Sequence, residues 1–159
     1  MKELLLIFLL GLPIYQEDVD SLIKPGQLDT VAGAVAEVAG GNRRLAALLV
    51  VIGHAETGYS LRIHEGHCRP WECDHGRARG PWQTWRNGMP AEKWAKMRGL
   101  QNTKEQASQA RVIVENGLRI CGTPRGAFAH YMGLPCRSQN SLVELRMRLY
   151  RRALRALEN

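Results

Sequence analysis

A chain of 159 residues fits one domain and is long enough to bury a core without staples. Its 45% hydrophobic and 23% charged residues exclude disordered and collagen-like chains. The formal net charge of +7 favours polyanions, among them nucleic acid, anionic lipid and acidic wall polymers, without choosing between them.

The N-terminal run MKELLLIFLLGLPIYQE holds one lysine, an apolar stretch from Leu4 to Ile14 and then polar residues. The stretch is too short to span a bilayer but has the length of a secretory signal core. Glu3 offsets Lys2, and no small-x-small cleavage site is visible. Residues 1–20 therefore read either as an export signal or as a first helix, and residues 21–159 as one domain. The even cysteine count favours export to a periplasmic or extracellular space.

Helix patterns dominate the rest of the chain. Residues 29–39 begin with a capping-type Asp29 and stop at Gly40-Gly41. Asn42 is a good N-cap for residues 43–57, which are apolar nearly all round, the pattern of a central buried helix. Residues 60–90, rich in Gly, His, Arg, Cys and Trp, have no sustained period and predict a long irregular loop of functional type. Thr103-Lys-Glu-Gln106 reads as a capping box. It opens a helix with Ala107, Ala110, Ile113 and Val114 inward, closed by Gly117. Pro124 suits the first turn of a helix over 124–132. A last helix, Ser141 to Leu157, is expected to turn Leu142, Leu145, Leu149, Leu154 and Leu157 to the core. Its other face, with Arg146, Arg148, Arg151, Arg152 and Arg155, reads as a solvated charged surface. Strand patterns are nearly absent, and no repeat or linker interrupts the chain. The fold class is mainly α, in a single domain.

Cys68, Cys73, Cys121 and Cys136 suit two disulfides in an exported protein, but four cysteines allow three pairings. In a reducing compartment they would be thiols or metal ligands. His64, His67, Cys68, Cys73 and His75 form an alternative zinc set, which with the basic charge would make a small nucleic-acid module. The spacing lacks any Cys-x-x-Cys half, so disulfides are preferred.

One residue breaks the pattern of the central helix. The run LAALLVVIG ends in His54-Ala55-Glu56, and a carboxylate buried without a partner is costly. A helix C-terminus and apolar neighbours both disfavour the charged form, which suits a general acid. The plain alternative is a helix-end Glu paired with one of the many arginines.

Three segments in order add to this: Ala55-Glu56-Thr57-Gly58-Tyr59, then Gly76-Arg-Ala-Arg-Gly80-Pro81-Trp82-Gln83, then Ala127-Phe-Ala-His-Tyr131-Met-Gly133. Over residues 40–135 the chain resembles the lytic transglycosylases of the lysozyme-like superfamily, which includes goose-type lysozymes. The resemblance implies a lysozyme-like helical domain that cleaves peptidoglycan between N-acetylmuramic acid and N-acetylglucosamine. It makes Glu56 the single catalytic acid/base and Gln83 a ligand to the sugar's N-acetyl group or nearby glycan. Tyr131 would place its hydroxyl near the Glu56 carboxyl. Thr57, Gly80 and Trp82 fall in the same motifs as substrate-binding candidates, Trp82 by offering an aromatic face. Pro81-Trp82 replaces the family's Leu-Met, and the Asn after the tyrosine is missing. A hydrolytic muramidase would need a second carboxylate to activate water, and Asp74 is the first choice over Glu65 and Glu72. The expected partners are glycan strands and anionic wall polymers, not nucleic acid. The expected protein is a monomer with no cofactor, no resident metal and no membrane span. A non-catalytic wall-binding module on the same fold is the remaining alternative.

Overall fold

A helix with no polar face is stable only when other elements cover it on every side. The computed structural model describes residues 1–12, 25–86 and 88–158. In chain order it begins with α1 (Lys2–Leu10), α2 (Pro25–Ala39) and α3 (Arg43–Thr57). The loop region holds α4 (Leu61–His64), a short turn α5 (Cys73–Gly76), the hairpin strands β1 (Ala78–Arg79) and β2 (Thr84–Trp85), and α6 (Ala91–Ala95). Then come α7 (Thr103–Cys121), α8 (Pro124–Tyr131) and α9 (Ser141–Glu158). The protein is mainly helical, as its sequence predicts.

α3 is the covered helix. Every residue from Leu45 to His54 is buried, and α2, α7 and α9 all pack on it. Its start is set by Asn42, whose side-chain oxygen accepts the Leu45 N–H at 3.1 Å. At its end Gly58 N–H donates to His54 O at 2.8 Å. α1 lies on α2 and α9 and buries Leu5, Phe8 and Leu9. Residues 2–10 thus form a first helix on the core; residues 13–20 of the candidate export signal lie outside the described residues.

Four expectations need correction. α2 starts at Pro25, four residues before Asp29, because proline fits a first turn. Asp29 instead pairs with Lys2 at 2.8 Å and ties α1 down. The capping box does not form: Thr103 Oγ1 donates to Leu100 O at 2.6 Å, and Gln106 Nε2 donates to Gly99 O at 2.8 Å. α7 runs through Gly117 to Cys121. A Cβ at Gly117 would stand 3.2 Å from both Ala127 Cα and His130 Cδ2, so this glycine allows close helix packing rather than ending the helix.

α9 departs furthest. Its buried residues are Val143, Arg146, Tyr150, Ala153 and Leu157, while Leu142 is 53% exposed. Of the five leucines Leu157 is buried and Leu149 and Leu154 pack against the core, but Leu142 and Leu145 are exposed, and Arg146 does not belong to the solvated face.

The region 60–90 is irregular but folded. Strands β1 and β2 pair antiparallel, with Ala78 opposite Trp85 and Arg79 opposite Thr84. Two-residue strands are too short to show alternation in a sequence. Cys68 is bonded to Cys73, so neither can serve as a zinc thiolate, and no group of three or more candidate metal ligands occurs among the described residues. Within this staple Arg62 holds Glu72 through two contacts of 2.7 Å. That hydrogen-bonded guanidinium draws the Glu72 carboxyl below its ordinary pKa.

The second disulfide, Cys121–Cys136, joins the end of α7 to the loop beyond α8, with a sequence separation of 15. Closing a loop of that length restricts the unfolded chain by about 3 kcal/mol in the entropic account. A Cys121→Ser/Cys136→Ser variant is expected to lose about that much stability in urea denaturation. Two disulfides point to an oxidising compartment, as in exported proteins. Among the described residues no helix is long and apolar enough to cross a membrane.

His64, one of the residues in the alternative zinc set, is fully buried within protein contacts. The Gln27 amide donates to Tyr59 O at 2.8 Å and to His64 Nδ1 at 3.2 Å. Thr103 spends its hydroxyl proton on Leu100 O, so it accepts from His64 Nε2–H at 2.9 Å. The network assigns a neutral ring with the proton on Nε2. Burial lowers the His64 pKa to about 4. Between pH 6.5 and 4 the unfolded chain therefore binds the proton that the folded chain refuses. Stability from this group is complete above pH 6.5 and falls as pH drops toward 4, by on the order of 3 kcal/mol. Denaturation at pH 7 and pH 4.5 is expected to show the fall, and His64→Gln to flatten it.

Candidate functional site

A cleft of about 610 Å³ opens where the end of α3 meets the loop hairpin, α8 and α9. Glu56, Asp74, Gln83, Trp85, Tyr131 and Arg146 are among its lining residues. Four of these six, Glu56, Asp74, Gln83 and Tyr131, are candidates on sequence grounds. Residues separated by up to 75 positions in the chain thus meet at one opening.

Glu56 is carried to the cleft by α3, one residue before that helix ends. Its setting is not the purely apolar one suggested by the run before it. Oε1 accepts a hydrogen bond from Arg146 Nη2 at 2.7 Å, and Arg146 itself is only 6% exposed. The carboxylate therefore sits against a buried cation from α9. A signal for this was present: Val143, Arg146, Tyr150, Ala153 and Leu157 keep one helical stripe, and an arginine inside such a stripe needs a buried partner.

Tyr131 ends α8 and lines the cleft with Glu56. Its hydroxyl donates to Trp82 O at 2.6 Å. Burial holds the phenol protonated, raising its pKa, and the nearby Glu56 charge adds to the effect while Arg146 opposes it. Tyr131 is thus a neutral wall that braces the hairpin turn.

Gln83 takes a left-handed conformation, φ +47°, at the end of the turn between β1 and β2. Its Nε2 donates to Gly80 O at 3.0 Å, which fixes the side chain beside the cleft. Asp74 is also left-handed, φ +48°, and its Oδ2 is buried with no hydrogen-bond partner among the described residues. Neither a local turn nor an arginine engages that oxygen there.

Three candidates support the site from behind. Thr57 Oγ1 donates to Pro81 O at 3.0 Å and to Gly53 O at 3.2 Å, tying the end of α3 to the hairpin turn. Gly80 has φ +69°, and a Cβ there would approach Gln106 Oε1 to 2.6 Å and Met97 O to 3.0 Å. It permits a tight turn against α7 and is not among the residues that line the cleft. Trp82 is 0% exposed, donates Nε1–H to Leu49 O at 2.8 Å and packs edge-on against Tyr59. It has no face to offer a sugar. The tryptophan at the cleft is Trp85, 46% exposed, three residues on. Of the other tryptophans, Trp94 is buried beneath the Arg79 guanidinium, and Trp71 is exposed outside the cleft lining.

Another groove lies by the Cys121–Cys136 disulfide, but its single carboxylate, Glu144, is held by Arg125. The first cleft alone combines two carboxylates, a buried cation and an exposed tryptophan among the described grooves. Comparison with family models, with curated proteins and with solved structures finds no match to this chain.

Proposed function

We propose that the chain cleaves peptidoglycan glycan strands as a lytic transglycosylase, on a lysozyme-like helical domain with Glu56 as its single acid and base. The observation that supports this reading is the meeting of Glu56, Gln83 and Tyr131, from three separate sequence motifs, at one cleft. Glu56 is also the carboxylate that the buried central helix delivers to the cleft, one residue before that helix ends.

The chemistry needs one proton moved twice. Protonated Glu56 gives its proton to the glycosidic oxygen as the bond to C1 of the muramic acid breaks. An oxocarbenium-like centre develops there, and the substrate's acetamido group stabilises it. The Glu56 carboxylate then takes the proton of the sugar's 6-hydroxyl while O6 bonds to C1, closing a 1,6-anhydro ring. The products together contain the atoms of the substrate and no added water. In this reading Gln83 orients the acetamido group and Trp85 stacks against a sugar ring, both being residues of the cleft lining. The two disulfides suit an exported enzyme acting at the wall.

A hydrolytic muramidase is the second reading, favoured by Asp74. Asp74 lines the cleft with Glu56, and in this reading it is the second carboxylate that activates a water. A suspension of purified cell walls tests the shared claim. Clearing with release of soluble fragments supports glycan cleavage; a chain that sediments with intact walls and releases nothing is a binding module.

A further inference from the structure

We propose that Arg146 is the receptor for a free carboxylate on the bound ligand, which replaces Glu56 on the guanidinium when the cleft fills. The substrate class rests on the glycan-cleaving reading, whereas the anion site stands on geometry alone. Arg146 lines the cleft, is 6% exposed and contacts Glu56 through Nη2 at 2.7 Å. Its Nη1 is buried with no acceptor among the described residues. A guanidinium presents paired donors that match the two oxygens of a carboxylate, so half of this fork is unused.

The charges facing the site narrow the ligand. Asp74 from α5 is a second anion, Tyr131 from α8 is neutral, and His130 from α8 lies beside Asn116. Arg146 is the only permanent cation among the lining residues, so an anion entering the cleft has one counter-charge to find. That counter-charge is already committed to Glu56. A ligand carboxylate that takes Arg146 leaves Glu56 without its cation: Arg146 changes partner, and the ligand anion takes the place of Glu56 on the guanidinium.

On a muramyl glycan the carboxylate that meets this description is that of the lactyl ether. It is free on strands without peptide and is an uncharged amide where a peptide is attached. The ligand class is therefore peptide-free glycan, and an amide-cleaving reaction must supply it.

Calorimetry with a muramyl disaccharide tests this, comparing the free lactyl acid with its methyl ester. The wild type is expected to bind the acid about tenfold more tightly, a difference of roughly 1.4 kcal/mol. Arg146→Gln should bind acid and ester alike, and Arg146→Lys, which keeps charge but not the fork, should fall between. Glu56→Gln should bind the acid more tightly than the wild type, because the competing carboxylate is gone. Equal binding of acid and ester by the wild type, no binding of either, or an unchanged preference in Glu56→Gln overturns the proposal. Glycan cleavage without any preference for the acid would refute this inference and leave the cleavage reading intact. Selective binding of the acid with no cleavage would do the reverse.

Discussion

Glu56→Gln is expected to abolish wall cleavage, by about a thousandfold or more, while leaving the fold and wall binding in place. A positioned general acid contributes on the order of 10²–10⁴-fold. Here one carboxylate serves both proton transfers, so the loss should lie toward the upper part of that range. Glutamine is the informative substitution because of Arg146. Its amide oxygen still offers an acceptor to the buried guanidinium, whereas Glu56→Ala would strand a buried charge at a cost of about 3–5 kcal/mol. Initial rates of fragment release, with circular dichroism and wall sedimentation as controls, check the outcome. A purely structural Glu56 predicts the opposite pattern, lost stability with no change in rate.

Trp82→Ala carries the largest expected loss of stability. The side chain is fully buried, bonded through Nε1 to Leu49 O on α3, and packed edge-on against Tyr59 with ring centroids 6.3 Å apart. Truncating such a tryptophan costs about 3–5 kcal/mol through lost transfer energy and the cavity left behind. The effect should spread to the site, since Trp82 O holds the Tyr131 hydroxyl and the same turn carries Gln83. Trp85→Ala should behave differently, with stability changed by less than about 1 kcal/mol and glycan binding weakened several-fold. Urea denaturation and glycan binding of the two variants separate the roles. A stable Trp82→Ala protein that merely binds sugar poorly would return Trp82 to the cleft.

The contrast between these two tryptophans shows where a sequence stops being legible. Both lie in the same short segment, and which one turns inward depends on a turn whose Gly80 and Gln83 both have positive φ. No periodicity extends over two-residue strands, so the side of each residue is set only by tertiary packing. The central helix was legible because its apolar run is long and Asn42 forms the expected N-cap, with Gly58 closing the other end in a left-handed conformation. Glu56 was legible for the same reason, as the charge at the end of that run.

α9 was half legible. Five leucines suggested one buried face, yet the strict helical stripe holds Val143, Arg146, Tyr150, Ala153 and Leu157. Residue type outweighed spacing in that reading, and the arginine that meets Glu56 was assigned to solvent. α7 shows the converse error. Gly117 looks like a stop signal, but it lies inside the helix, where a Cβ would crowd Ala127 of α8 at 3.2 Å. The disulfides could not be paired from four cysteines alone; each joins its near neighbour, one stapling the loop before the hairpin and one bracketing α8.

The central claim is that one carboxylate breaks the glycan bond without water. Digesting a defined glycan strand in heavy-oxygen water and weighing the new ends tests it most directly. A single-carboxylate route predicts 1,6-anhydromuramic ends that lack the elements of water, carry no heavy oxygen and disappear with Glu56→Gln. New reducing ends labelled by the solvent would contradict it, requiring an activated water and moving Asp74 into the reaction.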